Sequence, residues 1–308
     1  MDTTGILIPL IKLFLIIIPG YILSKKCIIN EEQNKGISLI VVYVTWPCLI
    51  VDALQMPVSR DLLINACYVT AAMFTTLIIA YLLSRTVCRV ASIEKSKTYL
   101  FTFMLIFANT GFMGIPISFA LYGKEGVFYA VLIDALCNIA IYTMGIALIR
   151  KSIGMDGKGD YSQLLSPGMA GIVIGALLFL TNTRLPSALG ESVALIGSAT
   201  APLAMLTLGF QLGKIRLKEL LGDLRIYLLA FLKLAIMPLI FLLVLTLIFT
   251  DLSLFAKVII LEASMPVAAS SAIFTQRYDG DVKFATKGVL LSTALSIITI
   301  PIFTLLMN

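Results

Sequence analysis

The sequence predicts an all-α membrane protein with ten transmembrane helices, arranged as two inverted five-helix repeats in which helices 4 and 9 are broken and cross. Three observations support this fold class: the composition, the distribution of charge over the loops, and two interrupted apolar runs. Hydrophobic residues make up 59% of the 308 residues and charged residues 13%. Soluble domains average roughly 45–50% and about 25%. The composition therefore indicates a polytopic membrane protein.

Apolar runs bounded by charged or turn-forming residues divide the chain into ten predicted spans. The spans are 5–24, 37–56, 62–84, 98–122, 126–149, 167–182, 192–212, 224–249, 256–275 and 282–306. The first lacks the basic region and cleavage site of a signal peptide, so we expect it to be retained. The predicted repeats are residues 1–149 and 166–308, joined by a polar cytoplasmic linker at 150–165.

Loops that are rich in lysine and arginine alternate along the chain with loops that are poor in them. The loops after spans 1, 3, 5, 7 and 9 hold most of the basic residues, whereas the opposite loops hold only Arg60, Lys124, Arg184 and Lys257. Short loops rich in lysine and arginine stay on the cytoplasmic side of a membrane. The alternation therefore supports ten spans and predicts that both termini face outward.

The composition also excludes several classes of function. The net charge of +6 is spread in short clusters, as in cytoplasmic membrane loops, and forms no patch suited to nucleic acid. The five cysteines show no C-x-x-C spacing, which argues against a disulfide framework or a zinc site. Histidine, the commonest metal ligand and general base, is absent. We expect no catalytic residues, metal, cofactor or nucleic-acid partner.

An internal repeat is indicated by proline. Pro47 and Pro202 share a Thr-x-Pro setting, and Pro116 and Pro266 recur at nearly the same spacing along the chain. Because each predicted half has an odd number of spans, the second half enters the membrane from the opposite side, which gives an inverted repeat. The bland alternative is that these prolines merely kink membrane helices.

The stretch Asn109-Thr-Gly-Phe-Met-Gly-Ile-Pro116 interrupts the fourth apolar run with two glycines and a proline. Proline removes a backbone donor and glycine relaxes the chain. We therefore expect peptide groups between Gly111 and Pro116 to lose their helical partners. Hydrocarbon cannot satisfy such groups, so the break should face protein or a cavity. A second interrupted segment, Glu262–Ser271, surrounds Pro266, and the two breaks are expected to cross near the midplane.

These motifs carry a family resemblance. The stretch from Asn109 to Pro116, then Ser264-Met-Pro-Val-Ala268, Phe274-Thr-Gln-Arg-Tyr278, Leu291-Ser-Thr-Ala-Leu-Ser296 and Thr299-Ile-Pro301 resemble the auxin efflux carrier family of bacterial and plant permeases. The resemblance implies a ten-span fold shared with bile acid symporters and some sodium/proton antiporters. It implies a scaffold of spans 1, 2, 6 and 7, which can support a homodimer, and a moving transport domain of spans 3–5 and 8–10.

The resemblance further implies secondary transport of small organic anions, such as malate, malonate or auxin-like acids, by alternating access at the crossover. The implied substrate-binding residues are Asn109, Thr110, Gly111, Gly114, Pro116, Ser264, Pro266 and Ala268. The short connector after span 5 resembles bacterial members, which implies a bacterial-type cell membrane. The alternatives are a sodium-coupled symporter of the bile acid type, or a membrane sensor that keeps the fold without transporting.

Ionisable residues inside the spans are further candidates, because a central charge costs roughly 2.5–3.5 kcal/mol on insertion scales. Candidates for coupling to a proton or sodium are Glu262, Asp134, Asn138 and Asp52, and candidates for attracting an anion are Lys12 and Lys233. Each has a structural alternative. Glu262 could pair with Lys233, Asp134 and Asn138 could join helices by hydrogen bonds, Asp52 could be interfacial, and Lys12 could extend to the membrane surface.

Overall fold

The computed structural model describes residues 3–156, 158–159, 166–214, 223–249 and 251–307. Part of the predicted linker (157 and 160–165) and of the basic loop after span 7 (215–222) lies outside the described residues. Apart from one isolated β-bridge, every regular element in the described ranges is helical. The α-helices are α1 (Thr3–Lys25), α2 (Glu31–Ile40), α3 (Trp46–Leu54), α4 (Arg60–Val90), α5 (Lys95–Ile106), α6 (Ile115–Ala140), α7 (Ile146–Ser152), α8 (Pro167–Leu180), α9 (Ser187–Ser198), α10 (Thr200–Gly213), α11 (Leu224–Phe231), α12 (Met237–Ile248), α13 (Leu254–Ala263), α14 (Ser270–Arg277) and α15 (Val282–Leu306).

Length and composition give seven helical runs in the described ranges that could cross a membrane. They are Leu7–Lys25, Glu31–Leu54, Arg60–Val90, Thr110–Ser152, Ser187–Gly213, Leu224–Ile248 and Val282–Leu306. Lys97–Ile106 and Pro167–Leu180 are apolar but shorter. The all-helical membrane class is thus confirmed. The ten-span inverted topology stays a prediction, since predicted spans 4 and 9 are broken and predicted span 6 is short.

The run Thr110–Ser152 is not one regular helix. Gly123 has φ 62° and ψ −152°, a conformation that is essentially restricted to glycine. Lys124 and Glu125, which follow it, are exposed. The interruption coincides with the predicted boundary between spans 4 and 5.

Proline shapes several helices through wide π-helical turns. Such turns precede Pro47, Pro116 and Pro238 by two residues each; they are Val41–Thr45, Thr110–Gly114 and Leu232–Ile236. A proline ring clashes with the carbonyl four residues earlier, and in each case that carbonyl belongs to the π-helical turn. The wider turn lets the chain continue as helix across the proline.

The described chain forms two compact units. The first comprises Met1–Tyr68, Gly111–Ala135 and Leu165–Ile215. Within it, α1 packs against α10 so closely that a Cβ atom on Gly20 would overlap the Leu206 carbonyl, and one on Gly209 the Ile17 carbonyl. Small residues let membrane helices approach in this way. Predicted spans 1, 2, 6 and 7 all fall in this unit.

The second unit comprises Val69–Thr110, Leu136–Leu164 and Arg216–Asn308. Its core holds two short helices: every residue from Leu100 to Phe107 is at most 2% exposed, and α13 is buried from Val258 to Ala263. Predicted spans 4 and 5 are divided between the two units, at Gly111 and Leu136, whereas the family resemblance assigns both to one domain. The roles of scaffold and transport domain stay predictions.

Candidate functional site

Two breaks in the helical structure lie in the second unit. The chain leaves α5 after Ile106 and becomes helical again at Thr110, so Phe107–Asn109 is non-helical. It leaves α13 after Ala263 and resumes in α14 at Ser270. Phe107 has the extended conformation of a strand, with φ −88° and ψ 121°. These breaks lie within predicted spans 4 and 9.

The two broken stretches pair with each other. The Asn109 N–H donates to the Pro266 carbonyl at 2.8 Å, and the Ala268 N–H donates to the Phe107 carbonyl at 3.1 Å. Ala108 and Val267 form an antiparallel bridge between these bonds. The predicted meeting of spans 4 and 9 therefore takes the form of a short antiparallel ladder.

A hydroxyl on α15 supports the ladder. The Val267 N–H donates to Ser292 Oγ at 3.1 Å, and Ser292 is fully buried. The ladder and Ser292 thus provide acceptors for the main-chain N–H groups of Asn109, Val267 and Ala268. The protein therefore fixes part of the main chain of the break.

The position of the first break also differs from the prediction. Gly111 and Gly114 lie in the π-helical turn Thr110–Gly114, and Pro116 is the second residue of α6 and buried. Pro116 and Pro266 therefore have different local settings, since Pro266 lies in the second break while Pro116 lies beyond the first. The π-helical turn accommodates Pro116 within the helix, and the non-helical residues lie about one turn earlier.

The Asn109 side chain lies at the ladder and is polar. The residue is 8% exposed, and its backbone N–H is committed to Pro266. Its side-chain amide makes no hydrogen bond to any residue in the described ranges. Asn109 therefore offers donors and an acceptor to a ligand at the break.

Comparisons with known proteins bear on this site. A family model described as "Membrane transport protein" matches residues 5–158 and 155–304. The chain belongs to this membrane transport family. It is the auxin efflux carrier-like family that the motifs resemble, and its model covers both broken segments. The family member described here is accordingly a multi-pass membrane protein.

Curated relatives match over nearly their whole length. An uncharacterized transporter of Methanothermobacter thermautotrophicus is 27% identical over 304 residues, which cover 96% of this chain and 97% of that protein. An uncharacterized transporter of Methanocaldococcus jannaschii is 27% identical over 303 residues and 96% of each chain. One of Escherichia coli K12 is 22% identical over 309 residues, 97% of this chain and 96% of that protein.

Lys233 is a buried cation of the second unit. It is 2% exposed and donates from Nζ to the Leu105 carbonyl at 2.9 Å and to the Ile106 carbonyl at 3.3 Å. These carbonyls end α5, where the negative end of the helix dipole favours a positive charge. Sequence reasoning proposed an anion or Glu262 as its partner and did not identify the helix end.

The other predicted residues fall into two groups. The second unit holds Asn109, Thr110, Ser264, Pro266, Ala268, Glu262, Asn138 and Lys233, and the first holds Gly111, Gly114, Pro116, Asp134, Asp52 and Lys12. Glu262 is 3% exposed and is the penultimate residue of α13. Ser264 is fully buried and donates to the Leu261 carbonyl at 2.6 Å. The substrate and coupling roles of all these residues stay predictions.

Three charged residues of the first unit have distinct settings. Asp134 is 3% exposed, and its Oδ1 lies 3.2 Å from where a Cβ on Gly111 would be. Asp52 pairs with Lys124 at 2.9 Å, in keeping with the interfacial interpretation. Lys12 is exposed on α1, as expected of a lysine that extends toward the membrane surface.

Two serines near the break belong to motifs noted in the sequence but were not predicted as site residues. Ser292 supports Val267, and Ser271, in the first turn of α14, is fully buried with no hydrogen-bond partner for Oγ in the described ranges. The available signal was the polar run of Ser292, Thr293 and Ser296 within an apolar span. Serine hydroxyls in helices usually bond their own backbone, which is why that signal is weak.

Proposed function

We propose that this protein is a secondary transporter of small organic anions, namely carboxylates such as malate, malonate or auxin-like acids. Transport proceeds by alternating access at the paired helix breaks. The observation that carries the proposal is the Asn109 side chain. Its amide has no hydrogen-bond partner in the described chain, the residue is 8% exposed, and the adjacent ladder fixes its backbone. Family membership supports the transport function, and the polar groups at the break support the proposed class of substrate.

An anion suits this site for two physical reasons. The Asn109 amide can donate to a carboxylate oxygen, and hydrogen bonds to charged groups contribute about 1.5–3 kcal/mol. Half-helix α14 begins at Ser270, directly after the second break, and the amino-terminal end of a helix carries roughly half a positive charge. Discontinuous membrane helices bind anionic substrate groups in this way.

Glu262 is the group that we assign to proton coupling. It lies at the carboxyl end of α13, 3% exposed, where an ionised carboxylate meets the negative end of the helix dipole. An anionic substrate in the same unit adds further repulsion. A proton bound to Glu262 removes the repulsion from the helix dipole and from the substrate, so proton uptake and substrate binding favour each other.

The need for coupling depends on direction. A membrane potential of about 100 mV, negative inside, is worth about 2.3 kcal/mol per charge. A monoanion is driven outward about 50-fold by that potential alone, whereas importing a dianion costs about 4.6 kcal/mol. Export can therefore run uncoupled, and accumulation requires positive charge to travel with the substrate.

The test is a thermal-shift and scintillation-binding screen of malate, malonate and indole-type acids on purified protein. We expect at least one carboxylate to bind and Asn109→Ala to weaken its Kd by about tenfold or more. Asn65→Ala is the matched control, because it removes an amide of the first unit that bonds Tyr129 at 3.2 Å, and its Kd should equal that of the wild type. Equal binding by Asn109→Ala would contradict the proposed site.

A further inference from the structure

Lys233 occupies an unusual place in its span. It lies in the π-helical turn Leu232–Ile236, between α11 and α12, nine residues beyond the start of the Leu224–Ile248 apolar run. At about 1.5 Å per residue this is well inside the bilayer. The side chain is 2% exposed, so it does not extend to the membrane surface. A fully buried ammonium group in this position requires compensating partners.

The helix break creates those partners. In an uninterrupted helix, the Leu105 carbonyl would accept the N–H of Asn109. That N–H donates instead to Pro266, and Lys233 Nζ takes its place at 2.9 Å. The Ile106 carbonyl receives a second bond at 3.3 Å. Lys233 thus substitutes for the donors that the ladder withdraws from the end of α5.

In cation-driven carriers, free sodium ions are coordinated by the same kind of group: carbonyls of unwound membrane helices and the carboxyl ends of half-helices. We infer that Lys233 is a resident cation, which occupies the carbonyl site at the end of α5 so that this protein requires no metal cation to stabilise the break or to bind its anion. The inference rests on the proposed anion transport and adds that sodium is not the coupling ion.

The geometry explains why a lysine suits this role. Its ammonium presents three donors on a flexible stem, of which these two carbonyls use two. The ammonium is bonded to the carbonyls of Leu105 and Ile106, which precede Asn109 by four and three residues along the chain, so its charge contributes to the positive potential in which a carboxylate binds. Because the cation is tethered, it is present whether or not a substrate or a salt gradient is.

Thermal unfolding of the purified protein tests the inference without any substrate. The melting temperature of the wild type should be the same in sodium, potassium and choline chloride at equal ionic strength. Lys233→Ala should lower it by about 5 °C or more, because two buried carbonyls lose their donor. Ethylammonium should restore at least half of that loss, since it fits the space and donates hydrogen bonds. Tetramethylammonium, which has no N–H, should restore none.

Lys233→Met is the matched control. It removes the same charge but fills the space with an apolar side chain, so ethylammonium should not restore it. Stabilisation of the wild type by sodium, an unchanged melting temperature in Lys233→Ala, or equal rescue of both variants or of neither would overturn the inference. If neither variant folds, the comparison of salts on the wild type decides.

A flux measurement separates this inference from the proposed function. Carboxylate flux in wild-type proteoliposomes should be equal in sodium and choline media. A flux that requires sodium would overturn the role of Lys233 and leave anion transport standing. Absence of any carboxylate flux would overturn the proposed function, and the melting experiments would then judge the cation site alone.

Discussion

The contact between α1 and α10 and the ladder between the two helix breaks solve the same problem differently. Both bring apolar membrane segments close together. In the first unit, the contact positions are glycines. Gly20 and Gly209 have no side chain, so the helix backbones touch, and both helices continue through the contact. In the second unit, the helices themselves stop, and the main chains of Phe107–Asn109 and Pro266–Ala268 pair directly.

The difference shows where polar chemistry is placed in this molecule. Helix α1 continues through the contact although it contains Pro9 and Pro19, and a continuous helix satisfies most of its own peptide groups. The ladder withdraws donors from helix ends and is surrounded by buried polar groups. Ser292 and Lys233 complete its hydrogen bonding, and Asn109 remains available. The first arrangement joins two continuous helices, and the second gathers the buried polar groups on which the proposed anion site depends.

The largest effect is expected from adding a methyl group to the contact between α1 and α10. Gly209→Ala places a Cβ on the Ile17 carbonyl, and overpacking of this kind, where backbone must move, costs about 3 kcal/mol. We expect most of the folded protein to be lost, measured by size-exclusion yield and melting temperature. Gly36→Ala in α2 is the control, because nothing lies within 4 Å of the added Cβ, and it should be neutral or stabilising by up to about 1 kcal/mol.

A second prediction concerns function at the break. Glu262→Gln should abolish uptake driven by a pH gradient while leaving exchange of substrate across the membrane, because the neutral amide mimics the protonated carboxyl. The measurement is carboxylate uptake in proteoliposomes with and without an inward proton gradient. Glu191→Gln, which alters an exposed carboxylate on α9, should behave as the wild type. Full gradient-driven uptake with unchanged pH dependence in Glu262→Gln would remove this residue from the mechanism.

The ladder can be tested with two serines of one helix. Ser292→Ala leaves the buried Val267 N–H without its acceptor, and such groups cost about 1–3 kcal/mol. Ser296 is equally buried but donates within its own helix, to the Thr293 carbonyl at 2.7 Å. Ser296→Ala should therefore cost less. Equal melting temperatures of the two variants would show that Ser292 does not support the ladder.

The smallest expected effect lies outside both regions. Asp223 bonds Arg225 at 2.7 Å, and hydrogen bonds from the Arg225 side chain lower the pKa of the Asp223 carboxyl. A lowered pKa stabilises the folded state at pH values above the unfolded aspartate pKa of about 3.9. Asp223→Asn should cost about 1 kcal/mol or less at neutral pH, and the difference in melting temperature should vanish only as the pH falls through the lowered pKa. A difference that is independent of pH would exclude the ion pair as its cause.

Much of the helix pattern is predictable from sequence because charges and turns bound the apolar runs. The last predicted span, 282–306, has the limits of α15, and span 224–249 differs from the α11–α12 run by one residue. The break near Asn109 is also predictable, since glycines and a proline follow it. Its position is not, because a π-helical turn absorbs Pro116 and the ladder opens the chain earlier.

The hydrogen-bond partners of the residues at the site could not be predicted from the sequence. Lys233 is visible as an intramembrane charge, but its binding to the Leu105 and Ile106 carbonyls depends on a break in another helix. Ser292 bonds a peptide group 25 residues away in sequence. Both contacts exist only because the ladder leaves particular N–H and carbonyl groups without helical partners, which is a property of the fold and not of any local pattern.

Carboxylate flux in proteoliposomes that contain the wild type, Asn109→Ala or no protein tests the central claim most directly. We predict counterflow of at least one small carboxylate with the wild type and flux at the level of empty liposomes with Asn109→Ala, at equal amounts of folded protein. Wild-type rates in Asn109→Ala would contradict the claim that the paired breaks hold the anion site.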